Sequence, residues 1–355
     1  MSCFRVGLVG DVLFHRRIGT VIGAEASVPA SAVSCLREHD LVVANLEMPL
    51  TRRGSPMPKR TTVRSDPAVI EDVVGLGIGA VSLANNHAAD YGPDGVLDTL
   101  ETCAAAGIQA CGAGRDRAAA GRPVTVGAAG RPVVLLAFSC LLPNSSAATE
   151  DRPGVAPLGV RTAFEMDPDD LAEQPGMAPM VRSWARREDV DAACRLISEV
   201  KSRDPSAIVI VGLHWGVQVD CLAPYQGLLA EYQQPLGHAL VDAGADVIWG
   251  HHAHVLHPIE VYRGRPILYS LGNFLFEPSG PFLDADTVIA TVGVGEDLTL
   301  DLTPVTLDGE GFPRAPGSTA GAAVLAKVAR LSARFGTRID IEGGRGRVRL
   351  CDDPA

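Results

Sequence analysis

Residues 244–255 read GADVIWGHHAHV. The run Asp246–Trp249 is short and apolar, and it is followed at once by Gly250 and by His251, His252 and His254. A short apolar run bounded in this way reads as a buried strand, here with metal-competent side chains at its carboxyl end. The same pattern recurs upstream. Phe4–Val9 leads into Gly10-Asp11, Leu41–Ala44 into Asn45-Leu46-Glu47, Ala80–Ala84 into Asn85-Asn86-His87, and Ala207–Leu213 into His214-Trp215-Gly216. Pro132–Phe138 and Pro266–Tyr269 are further apolar runs. Continuous rather than alternating hydrophobicity implies strands covered on both faces. Helical spacing lies between them: Val96, Leu97, Leu100 and Cys103 before Gly107; Val190, Ala193, Ile197 and Val200; and Leu228 to Ala243 before Gly244. Alternating strands and helices make an α/β core, and the carboxyl ends of its strands border the crevice where ligands bind.

After Gly250 the pattern becomes strand-rich. Pro258–Tyr262, Arg265–Leu271, Thr287–Val294 and Leu298–Val305 follow one another, with Arg263-Gly264 suited to a tight hairpin turn. This predicts two packed sheets rather than one doubly wound sheet. Residues 144–187 hold several prolines and glycines and an acidic run, and read as an irregular insertion or lid. The domain is expected over residues 1–308. Residues 309–355 are expected as a helical appendage packed on it, with an alanine-rich helix near Thr319–Arg334.

The chain has 355 residues, 46% hydrophobic and 21% charged, which excludes general disorder. Its net charge of −11 opposes non-specific binding to nucleic acid. No run approaches the roughly 18 apolar residues of a membrane span, and the opening MSCFRVGLVGDV reaches Asp11 too soon for a signal peptide. The expected setting is cytoplasmic, without a membrane partner. Eight cysteines form no CxxC pair, which argues against a zinc ribbon or a thioredoxin-type motif and for reduced, packed thiols.

The chemistry is therefore positional. Five strand ends bearing Asp, Glu, Asn and His converge if the strands share a sheet. On an extended segment His252 and His254 would project to one side. Mixed oxygen and nitrogen donors suit Mn, Fe, Zn or Mg better than a soft thiolate site would. So many candidate ligands suggest two divalent ions rather than one.

Six ordered blocks carry a resemblance. GDVLFHR (Gly10–Arg16), ANLEMPLT (Ala44–Thr51), SLANNHAADYG (Ser82–Gly92), GLHWG (Gly212–Gly216), GADVIWGHHAHV (Gly244–Val255) and YSLGNFLF (Tyr269–Phe276) resemble the poly-γ-glutamate capsule-synthesis (CapA) family of the calcineurin-like metallophosphoesterase superfamily. The resemblance implies an α/β fold, a four-layer αββα sandwich with two central mixed β-sheets and a binuclear metal centre at the strand ends. It makes Asp11, Glu47, Asn86, His214, His252 and His254 metal ligands, with Glu47 at the bridging position. His87 becomes the proton donor to the leaving group, with Asp90 orienting it. Arg16, Asn45 and Asn273 are expected against the substrate, His251 in a variable slot and His257 at the periphery. Three departures stand out. Leu13 replaces the histidine of the superfamily's D-x-H motif, with His15 two residues too late to substitute for it. Asn45-Leu46-Glu47 replaces an aspartate-led motif, and Ala88 replaces the acidic residue after the Asn-His pair.

The implied function is a soluble metal-dependent hydrolase, cleaving a phosphoester with a metal-bound hydroxide. The alternatives are a metal-dependent enzyme that forms, transfers or cleaves an amide, on a poly-γ-glutamate or peptide-like substrate, and a non-catalytic accessory protein of such a pathway. The expected partner is a small anionic or peptide-like substrate, and homo-oligomerisation is left open.

Overall fold

Alternation along the strands builds the layers. In the computed structural model, which describes residues 4–15, 17–18, 30–127, 131–143, 145–174, 176–217, 229–277 and 284–351, Val133, Leu135 and Ala137 enter one core and Val134, Leu136 and Phe138 another. Ile208 and Ile210 likewise face one way, and Val209, Val211 and Leu213 the other. Successive strand residues point to opposite faces, so an all-apolar strand needs a partner on each. Val43 and Ala80 join the core that Leu135 and Ala137 enter from the second sheet, whereas Val42, Ala44, Leu46 and Val81 join a third core against helices Ile70–Gly75 and Gly92–Ala105.

The order is therefore helix, sheet, sheet, helix. Helices Arg187–Arg203 and Gln233–Asp242 close the far side with Ala193, Ile197, Leu236 and Leu240. This is the expected four-layer αββα sandwich with two mixed sheets.

The larger sheet has ten strands. Its main path runs Ile339–Glu342, Arg345–Val348, Leu298–Leu307, Asp286–Val294, Phe4–Leu13, Leu41–Leu46, Ile78–Ser82 and Gln109–Cys111. From Phe4–Leu13 onward the neighbours are parallel; on the other side they are antiparallel. Asn273–Phe276 adds a parallel pairing to the end of the first strand, with Asp11 opposite Asn273. The six-stranded second sheet runs Ile259–Tyr262, Arg265–Leu268, Val247–His251, Ile208–His214, Val133–Ser139 and Val124–Thr125, with a parallel centre. In it His214 pairs with both His251 and Ser139.

The Arg263-Gly264 turn forms as expected, with φ of 49° and 72°. Both central residues of a type I′ hairpin need positive φ, which Gly264 supplies without strain.

Two regions differ from the sequence reading. Residues 144–187 are not irregular throughout: Val160–Glu165 and Met180–Ala185 pair as an antiparallel ribbon around the short helix Pro168–Glu173. Those strands hold only exposed and partly covered residues and leave Phe164 71% and Trp184 46% exposed, so they lack the apolar runs that mark the core strands. The C-terminal part is not only helical. Helix Ser318–Ser332 forms, but Ile339–Glu342 and Arg345–Val348 then extend the large sheet. The helix packs Val324, Leu325 and Val328 into the core between the sheets. Six described cysteines are free; Cys3 and Cys221 lie outside the described residues. Among the described residues no helix is long and apolar enough to cross a membrane.

Candidate metal centre

The carboxyl ends of the parallel strands in both sheets meet at one edge of the sandwich. Asp11 is set by a close backbone approach. Its N–H donates to the Gly272 carbonyl at 3.0 Å, and a Cβ on Gly10 would lie 1.8 Å from that same oxygen. Only glycine fits before Asp11. The register between the first two strands shifts between Leu8 and Asp11, and Asp11 then stands opposite Asn45.

The donors form three overlapping groups: Asp11, His214 and His251; Glu47, His214 and His252; Asp11, Glu47 and His254. Asp11, Glu47, His214 and His251 are fully buried. His214 Nε2 lies 3.5 Å from Glu47 Oε1 and 2.8 Å from Asn86 Oδ1. His254 Nδ1 lies 3.3 Å from Asp11 Oδ2, and its Nε2 lies 3.8 Å from Glu47 Oε1. The structure thus brings together all six residues that the sequence proposes as ligands.

His252 and His254 arrive by a route the sequence did not suggest. The strand ends at His251, and the following backbone turns, with φ of 96° at His252 and 58° at His254. Each such conformation costs on the order of 1–3 kcal/mol and persists only where the surroundings hold it. The ring centroids are 5.7 Å apart. A left-handed turn, rather than the two-residue period of a strand, places the pair.

The electrostatics are those of a site built around cations. Burial would raise the Asp11 carboxyl, but the hydrogen bond and charge of His254 hold it down at about 2. Burial and the neighbouring Asp11 charge push Glu47 well above the usual carboxylate range. Burial lowers His251 to about 4 and His252 to about 3, and it drives His214 well below the usual imidazole range. Burial would also lower His254, but the Glu47 and Asp11 carboxylates raise it to about 9. A lone imidazolium is a poor match for two buried carboxylates. Both oxygens of Glu47, Nε2 of His251 and Nδ1 of His252 are buried without a hydrogen-bond partner. Unpaired buried acceptors are expensive, and this hard, mixed oxygen and nitrogen set fits divalent metal ions.

Around the donors lies a layer of amides. Asn45 Nδ2 donates to Asp11 Oδ1 at 2.8 Å and lies 3.4 Å from His214 Nδ1. Asn273 Oδ1 is 2.8 Å from His254 Nδ1. The sequence reading sets both asparagines against the substrate. In the structure both are buried and bonded to candidate donors, Asn45 to Asp11 and Asn273 to His254. Arg16 lies outside the described residues. Leu13 is buried, and His15, whose ring bonds the Arg64 carbonyl at 3.1 Å, falls in none of the three donor groups.

His87 and Asp90 stand beside the cluster. His87 Nδ1 is 2.7 Å from Asp90 Oδ2, and the imidazole is 14% exposed against 1% for the carboxylate. Asp90 also accepts from Lys59 Nζ at 2.5 Å and from Val63 N at 2.7 Å.

Three residues escape the sequence reading. His251, given a variable slot, has Nδ1 at 2.8 Å from His214 Nδ1 and joins Asp11 as a donor. Its position as the last strand residue, in register with His214, was the available signal. Asn85 donates to Asn45 Oδ1 and the Leu46 carbonyl and accepts from the N–H groups of His87 and Ala88. An asparagine just past a strand is a recognisable turn former. Lys59 carried no signal beyond its charge. His257 is buried, with neither ring nitrogen bonded, and falls in none of the three donor groups.

A family model described as bacterial capsule synthesis protein PGA_cap matches residues 5–278. The chain belongs to this family. The PGA_cap match contains every donor of the centre. The chain is 33% identical over 247 residues to the probable polyglutamine synthesis accessory protein of Mycobacterium tuberculosis, covering 68% of this chain and 57% of that protein. It is 30% identical over 275 residues to the PGA biosynthesis protein CapA of Bacillus subtilis, covering 76% and 62%. This PGA_cap chain therefore spans less than two thirds of the length of either relative. Among solved structures it is similar to a putative 5′-nucleotidase from Staphylococcus aureus, with a TM-score of 0.45 and 11% identity over 90% of this chain and 55% of that one.

Proposed function

We propose that this chain is a metal-dependent hydrolase that cleaves a phosphoester of a small anionic substrate at a two-metal centre. The observation that carries the reading is Glu47. It belongs to two donor groups at once, and both of its buried oxygens lack a hydrogen-bond partner. That is the arrangement expected of a carboxylate shared by two cations. Glu47, His214 and His252, with Asn86 beside them, would hold one ion; Asp11, Glu47 and His254, with His251 beside Asp11, would hold the other. Divalent ions of the Mn, Fe, Zn or Mg kind, when bound, would make water more acidic and offset charge on the phosphoryl oxygens.

The chain's own residues supply the rest. An ionised Asp90 only accepts, so the Nδ1 of His87 donates to it and that tautomer is fixed. Nε2 of His87 is then the atom available to the departing oxygen, as a general acid. Asn85 fixes the turn that carries Asn86 and His87. Asn45 and Asn273 hold Asp11 and His254 in the orientation that binding requires.

A second reading is amide chemistry on a glutamyl or peptide-like substrate. It is favoured by the relative named as a PGA biosynthesis protein. The experiment is a paired assay. Metal content is measured by elemental mass spectrometry on wild type and Glu47→Gln, and turnover of p-nitrophenyl phosphoesters and γ-glutamyl-p-nitroanilide is followed with and without added Mn²⁺. Two equivalents of metal, lost in Glu47→Gln, with metal-dependent phosphoester cleavage support the proposal. Cleavage of the amide alone transfers it to the second reading. Absence of metal after reconstitution overturns both and leaves an accessory role.

A further inference from the structure

The segment Arg52–Arg64, RRGSPMPKRTTVR, carries five cations and no acidic residue in a chain of net charge −11. The structure distinguishes these cations. Arg52 makes two bonds to Asp66, and Arg53 reaches Asp98 and Glu101. Lys59 is held by Asp90 and by the Asn86 carbonyl at 2.7 Å, with its Nζ 3.3 Å from His87 Nδ1. Arg60 and Arg64 are exposed, and neither has a carboxylate within ion-pair distance among the described residues.

The segment is also fixed against the centre. Met57 N donates to the Asp90 carbonyl at 2.7 Å, and Lys59 Nζ and Val63 N both bond the Asp90 carboxylate. Arg60 follows Lys59 and Arg64 follows Val63, so each of these two arginines adjoins a residue that Asp90 anchors, and Asp90 is the partner of His87. Arg64 lies with its guanidinium carbon 4.6 Å from the centroid of the Tyr91 ring. Stacking restricts the plane of a guanidinium and leaves its edge donors free for a planar or tetrahedral oxyanion. The pairing of the other three cations matters here. A cation already held by a carboxylate offers a ligand little, whereas a preorganised and unneutralised one offers a charge-assisted bond.

We infer that Arg60 and Arg64 form a subsite for a second anionic group of the substrate, a carboxylate or phosphate separate from the group that reacts at the metal centre. This deepens the proposed hydrolase reading and rests on it for the position of the reacting group. Lys59, although nearest to His87, positions the loop rather than binding substrate.

The test is calorimetric titration of the full chain, purified with Mn²⁺. The probes are orthophosphate, a series of ω-carboxyalkyl phosphates of increasing length, and the matching dicarboxylates. The expected result is that at least one carboxyalkyl phosphate binds about tenfold tighter than orthophosphate, as one good charge-assisted bond would give. The Arg60→Ala/Arg64→Ala double variant should lose that gain and keep its orthophosphate affinity. Arg52→Ala, which removes a cation already held by Asp66, should keep the gain. The inference is overturned if no member of the series exceeds orthophosphate, if the gain survives the double variant, or if Arg52→Ala loses as much. Dicarboxylate binding that disappears in the double variant, with no orthophosphate binding in wild type, would preserve the subsite and remove the phosphoester reading. Failure of every probe to bind would overturn the subsite as well.

Discussion

The two halves of the large sheet are built from similar residues and do different work. In the parallel half, Phe4–Leu13, Leu41–Leu46 and Ile78–Ser82 all finish at one edge, where they present Asp11, Glu47 and Asn86. In the antiparallel half, Asp286–Val294, Leu298–Leu307, Arg345–Val348 and Ile339–Glu342 alternate direction. None of the residues in the three donor groups comes from that half. Strand direction, more than composition, decides where polar side chains accumulate. A parallel arrangement aligns every carboxyl end, whereas an antiparallel one scatters them between two edges.

The comparison breaks most visibly if a change beside the parallel half alters stability more than turnover. His87→Ala should lower kcat by about 10²- to 10⁴-fold, the usual contribution of a general acid, with a melting temperature close to wild type. Steady-state kinetics and thermal unfolding on one preparation check both expectations. Leu302→Ala, in the antiparallel half, should do the reverse. Leu302 is wholly buried between the sheets, so truncation should cost about 2–5 kcal/mol of stability. Denaturant unfolding would reveal the loss, and kcat per folded molecule should not change.

His257 sharpens the contrast with the histidines of the donor groups. Burial lowers it to about 4. Above the ordinary imidazole range, near 6.5, the folded and unfolded chains are both neutral at this residue, and it contributes no pH dependence. Between about 6.5 and 4 the unfolded chain takes up a proton that the folded chain refuses, so stability falls as pH falls. The loss should reach about 2–3 kcal/mol near pH 4.5. His257→Phe should flatten this part of the stability profile relative to wild type; an unchanged slope would contradict the assignment.

Asn273→Ala should weaken metal binding by about 10- to 100-fold, the range for partners that orient a ligand, as read by competition with a chelator. The smallest effect belongs to Arg347→Ala. It removes a surface pair with Asp301 on the antiparallel half and should cost less than about 1 kcal/mol, with turnover unaltered.

Much of this was legible from the sequence, for a physical reason. Strands buried on both faces must be continuously apolar, so Val133–Ser139 and Ile208–His214 announce themselves. Polar residues that interrupt such runs at their ends, Asp11 and His214 among them, are conspicuous for the same reason. The insertion ribbon was hidden because it is exposed and lacks that signature. The strand pair after the C-terminal helix was hidden in a similar way, since Ile339–Glu342 reads as mixed polar sequence at the sheet edge. Within the centre, the side chains that come together were readable but their backbone routes were not. Nothing in His-His-Ala-His reveals positive φ at His252 and His254, because that conformation is imposed by tertiary contacts. The bonds of Asn45 to Asp11 and of Asn273 to His254 were not readable, because an asparagine bonded to a neighbouring side chain and one that touches a substrate look alike in sequence.

The contact between Asp11 and the Gly272-Asn273 strand has a consequence for the order of assembly. The first strand is synthesised early, yet its carboxyl end is fixed only by a segment more than 250 residues later. At about 5–20 residues per second, that delay is of the order of tens of seconds. Through this interval Asp11 and Glu47 have no His252 or His254 to meet. The earliest form of the nascent chain able to close the centre is therefore one in which the whole second sheet and the parallel half of the large one have already emerged. Premature closure around the early motifs is limited by topology, and a chain truncated before residue 273 should lack the closed centre, whatever else of it folds.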